Sequence, residues 1–326
     1  YDLPNSTNYS ETCASIGVMM FGQRMAAITG DASYYDYVEK ALYNTVIAGI
    51  NIAGDRYFYV NPLEVVPEFC TEHTYMEHVK PVRQKWFGVA CCPPNVGRTL
   101  ASLGQYIYAE DEYGVYINQF ISSTADTEVR ESRLKIKMNS TLLQDGKVQI
   151  EVQSSGPGNL NIRIPWYSEK CECVQNGISI EIQPEKGYQR LSISPGDTYI
   201  SLDFHVSPRW MGANNGVRAD AGKAALMKGP LVYCLEEKEN GRYLSEIFIE
   251  ENTSIEETAP AEELVGNVPT LSYKGIRVRN KGAAGENQLY GNVELEKEEV
   301  SLQAVPYCMW NNRGEGEMLV WHKLRV

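Results

Sequence analysis

One change of hydrophobic period constrains what this chain can fold into. Up to about Gln105 the apolar residues recur at the spacing of a helix face, and beyond it they alternate as in half-buried strands. In the first part, Cys13, Ile16, Met20 and Ala27 predict a helix from Ser10 to about Thr29, with Ser10 as N-cap and Gly30 as the C-terminal stop. Asp31 is expected to cap a second helix, whose stripe of Tyr34, Tyr35, Val38, Ala41, Leu42, Thr45 and Val46 ends at Gly49. The link between them is short, so the two should be antiparallel. Arg56 to Leu63 is aromatic and β-branched before Pro62 interrupts it, and predicts a short strand leading into an irregular loop that runs to Cys91. Val96, Leu100, Leu103 and Tyr106 predict a third helix, with Pro94 in its first turn and Cys91-Cys92 just before it.

The second part reads as strands: Gly114–Asn118, Arg133–Lys137, Val148–Val152, Asn161–Ile164 and Tyr199–Phe204, with a hairpin turning at Asn176-Gly177. Pro208, Gly212, Asn214, Asn215 and Gly216 cluster before a new apolar run and mark a boundary. The expectation is a helical unit over residues 1–105, a β-sandwich over 106–212 and a second β-sandwich over 213–326. Glu250 to Glu263, acidic and poor in apolar residues, is expected to be an exposed loop.

The formal net charge of −12, with lysine and arginine scattered, offers no basic stripe for a phosphate backbone, so nucleic acid is not an expected partner. A neutral or polar small molecule suits the chain better. No run reaches the roughly 18 to 20 apolar residues of a membrane span, so no membrane association is expected. Eight cysteines are too few and too unevenly placed for a disulfide scaffold, which predicts reduced thiols and a cytoplasmic setting.

The chemistry-bearing residues are Glu11 and Cys13, two apart at the opening of one helix, and Cys91 and Cys92, side by side at the opening of another. One carboxylate and three thiolates suit tetrahedral zinc. Spacing alone leaves open the alternative that these are buried, inert cysteines, since there is no Cys-x-x-Cys element. Cys171-x-Cys173 is a weaker chelate with no second pair nearby, and Cys70, Cys234 and Cys308 read as packing residues. Asp55, Glu64 and Glu68 are carboxylates near these segments for which hydrogen bonding is as good an account as catalysis.

Five blocks in order resemble glycoside hydrolase family 127: Tyr1-Asp2-Leu3-Pro4-Asn5, Glu11-Thr12-Cys13-Ala14-Ser15, Tyr59-Val60-Asn61-Pro62-Leu63-Glu64, His78-Val79-Lys80-Pro81-Val82-Arg83-Gln84 and Cys91-Cys92-Pro93-Pro94-Asn95. Gly229 to Glu236 and Asn312 to Met318 continue the resemblance. It implies a zinc-thiolate β-L-arabinofuranosidase in which an (α/α)6 barrel carries the active site and two β-sandwiches follow. It also implies zinc on Glu11, Cys13, Cys91 and Cys92, with Cys91 as the nucleophile of a retaining hydrolysis that passes through a glycosyl-thioether. By the same resemblance Tyr59 lines the sugar site. His78 is a candidate substrate contact, its plainer reading being a loop hydrogen-bonder.

The family's acid/base glutamate lies upstream of the Tyr-Asp-Leu-Pro-Asn block and would fall before Tyr1. The resemblance thus implies the C-terminal part of such an enzyme, inactive by itself, with an L-arabinofuranoside as its substrate and a possible homodimer as its assembly. Chemistry alone keeps a second reading alive, since closed four-ligand zinc sites are usually structural. In that reading the chain is a non-catalytic glycan- or partner-binding protein.

Overall fold

The structure is a computed structural model that describes residues 1–261, 264–283 and 289–325. The protein is a mixed α/β multidomain chain with few helices and many strands. Among the described residues no helix is long and apolar enough to cross a membrane.

Helix α1 spans Thr12–Thr29 and α2 Ser33–Ala41. Gly30 ends α1 in the left-handed region at φ 67°, its N–H bonded to Ala26 O, as the glycine predicts. Ser10 does not cap the helix. It sits at φ 31° with its carbonyl taken by Asn61, and Glu11, extended and bridged to Val60, occupies the N-cap. Asp31 caps in a looser sense, accepting a hydrogen bond from the Ser33 N–H at 2.9 Å from one residue outside the N-cap. Ile16, Met19, Ala26, Tyr35, Val38, Leu42 and Val46 form a core between the two helices, joined by Val96 and Tyr106. Gly22 permits the close approach: a Cβ there would lie 2.8 Å from Val38 Cγ2 and 2.9 Å from Tyr34 O.

α2 runs on into a π turn over Leu42–Val46. The turn presents Asn44, which donates to Pro230 O and accepts from Val232 N–H, both at 2.8 Å, fastening the helical segment to the last third of the chain. Helix α3 spans Cys92–Ala101. The expected single helix through Tyr106 is broken, because Ser102 turns its hydroxyl back onto Arg98 O at 2.8 Å and a separate turn covers Gly104–Ile107. Leu100, expected on the apolar face, is exposed. The strand expected over residues 56–63 is reduced to isolated bridges, Tyr57 with Ile50 and Gln84, and Val60 with Glu11. Its neighbours are loops and a helix start, each of which pairs with it at a single residue and no further.

Strands of the middle region include the expected runs. Four of them, 188–193, 158–163, 114–117 and 108–111, form one sheet, and six, 123–129, 132–141, 147–154, 196–203, 172–175 and 178–180, form another. Both sheets send apolar residues, among them Ile117, Leu160, Leu134, Ile150 and Ile200, into one core. Asn176 and Gly177, at φ 50° and 80°, make the tight hairpin turn.

The last region departs from the expected second sandwich. Its pairings run through 231–236, 295–306, 270–280, 247–250, 321–325 and 223–228 and return to 231–236, so six strands close into a barrel within a ten-stranded sheet. Closure leaves those strands without free edges. Within the acidic stretch, Ile255–Thr258 is a strand on this sheet rather than loop; residues 262 and 263 lie outside the described residues. Glu64–Val65 pairs with Met318–Leu319, Phe58 stacks on Trp310 at 4.9 Å, and Arg83 donates to Ala48 O and Trp310 O. The loops that carry the site are therefore anchored on the barrel.

Candidate metal centre

Two helix starts meet to form the site. Glu11 is the N-cap residue of α1 and Cys13 lies in its first turn; Cys91 is the N-cap residue of α3 and Cys92 opens that helix. Pro93 and Pro94 cost α3 little, because first-turn N–H groups have no partner within a helix. Thr12, fully buried between them, donates to Phe58 O at 3.1 Å and receives the Asn61 side-chain amide at 3.0 Å. Asn61 also donates to Ser10 O. These bonds set the register in which Glu11 and Cys13 leave the helix start.

The ligand atoms of Glu11, Cys13, Cys91 and Cys92 all lie within 4.8 Å of one another. Cys13 Sγ is 3.6 Å from Cys92 Sγ, Cys91 Sγ is 3.9 Å from Cys92 Sγ, and Cys91 Sγ is 3.5 Å from Glu11 Oε1. A tetrahedral ion bound at about 2.3 Å to sulfur and about 2.1 Å to oxygen requires edges of about 3.8 and 3.6 Å. The donor set and its edges therefore fit one metal ion. Cys92 is fully buried and the other three are partly exposed. Burial pushes the Cys92 thiol well up, with the neighbouring thiols adding to the shift, and burial also raises Cys13. A divalent cation among them would reverse that by supplying the missing positive charge.

Tyr59 Oη lies 3.4 Å from Cys91 Sγ. Its contact with that sulfur, then burial and the Glu11 carboxylate, raise the phenol above its ordinary value, so Tyr59 keeps its proton. The ring of His78 stacks on Tyr9 at 6.5 Å, and Tyr9 meets Tyr59, the ring that reaches Cys91, edge-on at 6.1 Å. Three residues at the site carry no role in the sequence reading: Asn95, whose side chain reaches Cys13 Sγ, Tyr9, and Phe87 against Tyr57 and Tyr59. Asn95 stands inside the Cys-Cys-Pro-Pro-Asn block, and that placement is the one signal that could have found it.

The remaining candidates lie elsewhere. Cys173 is buried in the middle core with Cys171 packed against it, and Cys70, Cys234 and Cys308 are buried in the last core. Asp55 closes a turn with Asn51, Glu68 pairs with Arg242, and Glu64 sits on the short strand against Leu319.

Comparison with known proteins identifies the family. Three sequence signatures match in order: the β-L-arabinofuranosidase GH127 catalytic domain over residues 1–105, the GH127 middle domain over 114–204, and the glycoside hydrolase family 127 C-terminal domain over 208–323. A non-reducing end β-L-arabinofuranosidase of Bifidobacterium longum subsp. longum is 36% identical over 336 residues, which cover 99% of this chain and 50% of that protein. The crystal structure of a GH127 β-L-arabinofuranosidase from Geobacillus stearothermophilus T6 superposes with a TM-score of 0.93 at 38% identity, covering 99% of this chain and 51% of the other. A further GH127 β-arabinofuranosidase gives 0.88 at 28% identity, covering all of this chain and 51% of the other. The chain thus spans about half the length of these relatives. Across all three of its regions the chain belongs to glycoside hydrolase family 127.

Proposed function

We propose that this chain carries the metal and nucleophile part of a retaining, exo-acting glycoside hydrolase that releases L-arabinofuranose from β-L-arabinofuranosides. The observation that carries the reading is Cys91 Sγ, partly exposed, with Glu11 and Cys92 on one side and the Tyr59 phenol on another. Glu11, Cys13, Cys91 and Cys92 would hold zinc, which when bound keeps the thiols ionised at neutral pH and makes a thiolate easier to expel. Residues 1–105 are read as part of a helical barrel. The apolar residues Phe21 and Ile28 exposed on the outer face of α1 suit a helix meant for further packing.

The chemistry follows from the residues in place. Cys91 Sγ attacks the anomeric carbon as the bond to the leaving oxygen breaks, and that oxygen takes a proton from a general acid. Water then adds to the same carbon, giving its proton to the group that had acted as acid; the carbon–sulfur bond breaks, and two inversions give net retention. Tyr59, holding its proton beside the sulfur, can donate a hydrogen bond to the sugar or to the sulfur as it departs. The acid/base carboxylate is the group that the family resemblance puts upstream of Tyr1. Residues 1–326 alone are thus expected to turn over slowly, since general acid catalysis contributes about 10²- to 10⁴-fold.

The test compares three proteins on an aryl β-L-arabinofuranoside: residues 1–326, the natural gene product that includes them, and that product carrying Cys91→Ser. Appreciable turnover is expected only in the second, with retention of configuration, and slow turnover at most in the first. Equal turnover by the first two would refute the acid/base argument, and an undiminished Cys91→Ser protein would remove the thiolate nucleophile. The four-donor set, closed as in structural zinc sites, favours a second reading in which the metal only holds the fold. Under that reading the natural gene product is inactive although it binds zinc.

A further inference from the structure

Tyr9 is more than half exposed (55%), yet its backbone is fixed with unusual care for a surface aromatic. The next residue, Ser10, is held at φ 31°, a left-handed conformation that side chains other than glycine rarely adopt. Four hydrogen bonds hold it there. Asn8 donates to Ser10 Oγ at 2.7 Å and to Asn61 O at 3.2 Å, and Asn61 gives both its backbone N–H and its side-chain amide to Ser10 O. Strain that a local network holds in place beside a reactive group is the usual mark of a positioned side chain. The side chain so positioned is the Tyr9 ring.

Two rings support it. His78 lies nearly parallel, 9° between planes, and Tyr59 meets it edge-on at 75°. Tyr59 in turn reaches Cys91 Sγ at 3.4 Å, so Tyr9 contacts the ring that touches the sulfur. Tyr9 also lines a groove of about 680 Å³ together with Asn214 and Trp321, and with Asn5 and Asn8, whose NH₂ groups donate to Asp220 and to Ser10 and Asn61 and whose side-chain oxygens remain as acceptors. An aromatic face, amides and an indole are the groups that recognise a sugar, whose C–H faces stack on rings and whose hydroxyls bond to amides.

We propose that Tyr9 is the stacking platform for the saccharide on the leaving-group side of the scissile bond, and that it sets the preference for a sugar there over a small alkyl group. The proposal rests on the hydrolase reading above and assigns Tyr9 to the first unit of a saccharide leaving group, with any further units directed into the groove. Tyr9 acts on binding of the leaving group and takes no part in the bond changes at Cys91.

The experiment measures kcat/KM of the natural gene product and its Tyr9→Ala and Tyr9→Phe variants on a β-L-arabinofuranosyl-L-arabinose disaccharide and on methyl β-L-arabinofuranoside. The ratio of the two is expected to fall about tenfold in Tyr9→Ala, mainly through KM for the disaccharide, and to stay within about twofold of wild type in Tyr9→Phe, which keeps the ring. Zinc content equal to wild type in each variant shows that the neighbouring cluster is intact. An unchanged ratio in Tyr9→Ala overturns the proposal, as does an equal fall in Tyr9→Phe, which would make the hydroxyl the contact. If wild type hydrolyses neither glycoside, the hydrolase reading fails first. Calorimetric titration with the disaccharide then decides on Tyr9: weaker binding by Tyr9→Ala supports the platform, while equal binding, or none by wild type, overturns it.

Discussion

Asn95 donates its side-chain amide to the sulfur of Cys13 across 3.1 Å, joining the first turn of α3 to the first turn of α1. The amide is itself oriented, because Arg98 Nε donates to its oxygen at 2.8 Å and leaves the NH₂ to face the sulfur. Burial raises the Cys13 thiol, and this bond pulls the other way by favouring the thiolate. Asn95→Leu, similar in size but unable to donate, is expected to weaken zinc binding about 10- to 100-fold, the usual cost of losing a partner that orients a metal ligand. Competition against a chromogenic chelator measures it; an unchanged affinity would mean that the bond does not act on the metal site.

Zinc itself is expected at about one per chain, since the four donors form a single closed set. Cys92→Ser should abolish it, because a serine hydroxyl in that buried position is a poor ligand and stays protonated. Elemental analysis of both proteins checks this, and thermal unfolding with and without chelator adds a second readout. A metal held a thousandfold above its dissociation constant stabilises by about 4 kcal/mol. Chelation should therefore lower the Tm of wild type and leave that of Cys92→Ser where it was. Equal zinc in the two proteins would remove the proposed site.

Arg163 ties α2 to the four-stranded sheet. Fully buried, it places Nη1 2.7 Å from Asp36 and Nη2 2.7 Å from Glu39, and its Nε donates to Asn118 O. Arg163→Met strands the buried Glu39 carboxylate without its counter-charge and is expected to cost about 3–5 kcal/mol in urea unfolding. Adding Glu39→Met removes that carboxylate and should recover more than half of the loss. If the double variant is no better than the single one, the loss arises from packing and not from the isolated charge.

How far these features were legible depends on how local their causes are. Glu11, Cys13, Cys91 and Cys92 could be picked out because their blocks are contiguous and helix starts are written in short-range residue choices. The helix-to-strand switch was legible because side-chain period is a local property. Ser10 misled because its conformation is set by Asn61, far along the chain, and the Arg56–Leu63 run misled because a strand needs a continuous partner, and each neighbour here pairs with it at a single residue. The closed barrel was out of reach, since closure depends on the parallel pairing of Phe248 with Lys323, which no periodicity announces. Asn95 and Tyr9 gain their roles from neighbours brought together by the fold: Cys13 is 82 residues from Asn95.

His322 gives the last prediction, one of pH. It is fully buried on strand 321–325, with Nδ1 3.0 Å from Val320 O and Nε2 2.6 Å from Tyr273 Oη. The carbonyl can only accept, so Nδ1 carries the proton and Nε2 accepts from the Tyr273 hydroxyl. The neutral ring is thereby satisfied at both nitrogens, and a second proton on Nε2 would displace the tyrosine's hydrogen bond. Burial pushes the imidazole down to about 4, against 6.5 for an exposed histidine, with the backbone carbonyls offsetting only part of the shift. Between those two values the unfolded chain binds a proton that the folded chain does not. Stability is therefore fully present above pH 6.5, falls as pH drops towards 4 by about 1.4 kcal/mol per pH unit from this group, and loses nothing further to it below 4. Carboxylates titrate in the same range, so the contribution is isolated by comparison with His322→Gln, which keeps an amide donor and acceptor but no titrating group. Urea unfolding of both proteins at intervals from pH 7 to 4 should show a shallower decline in the variant, by about 3 kcal/mol across the range. Parallel curves would mean that His322 is protonated as readily in the folded protein as in the unfolded one.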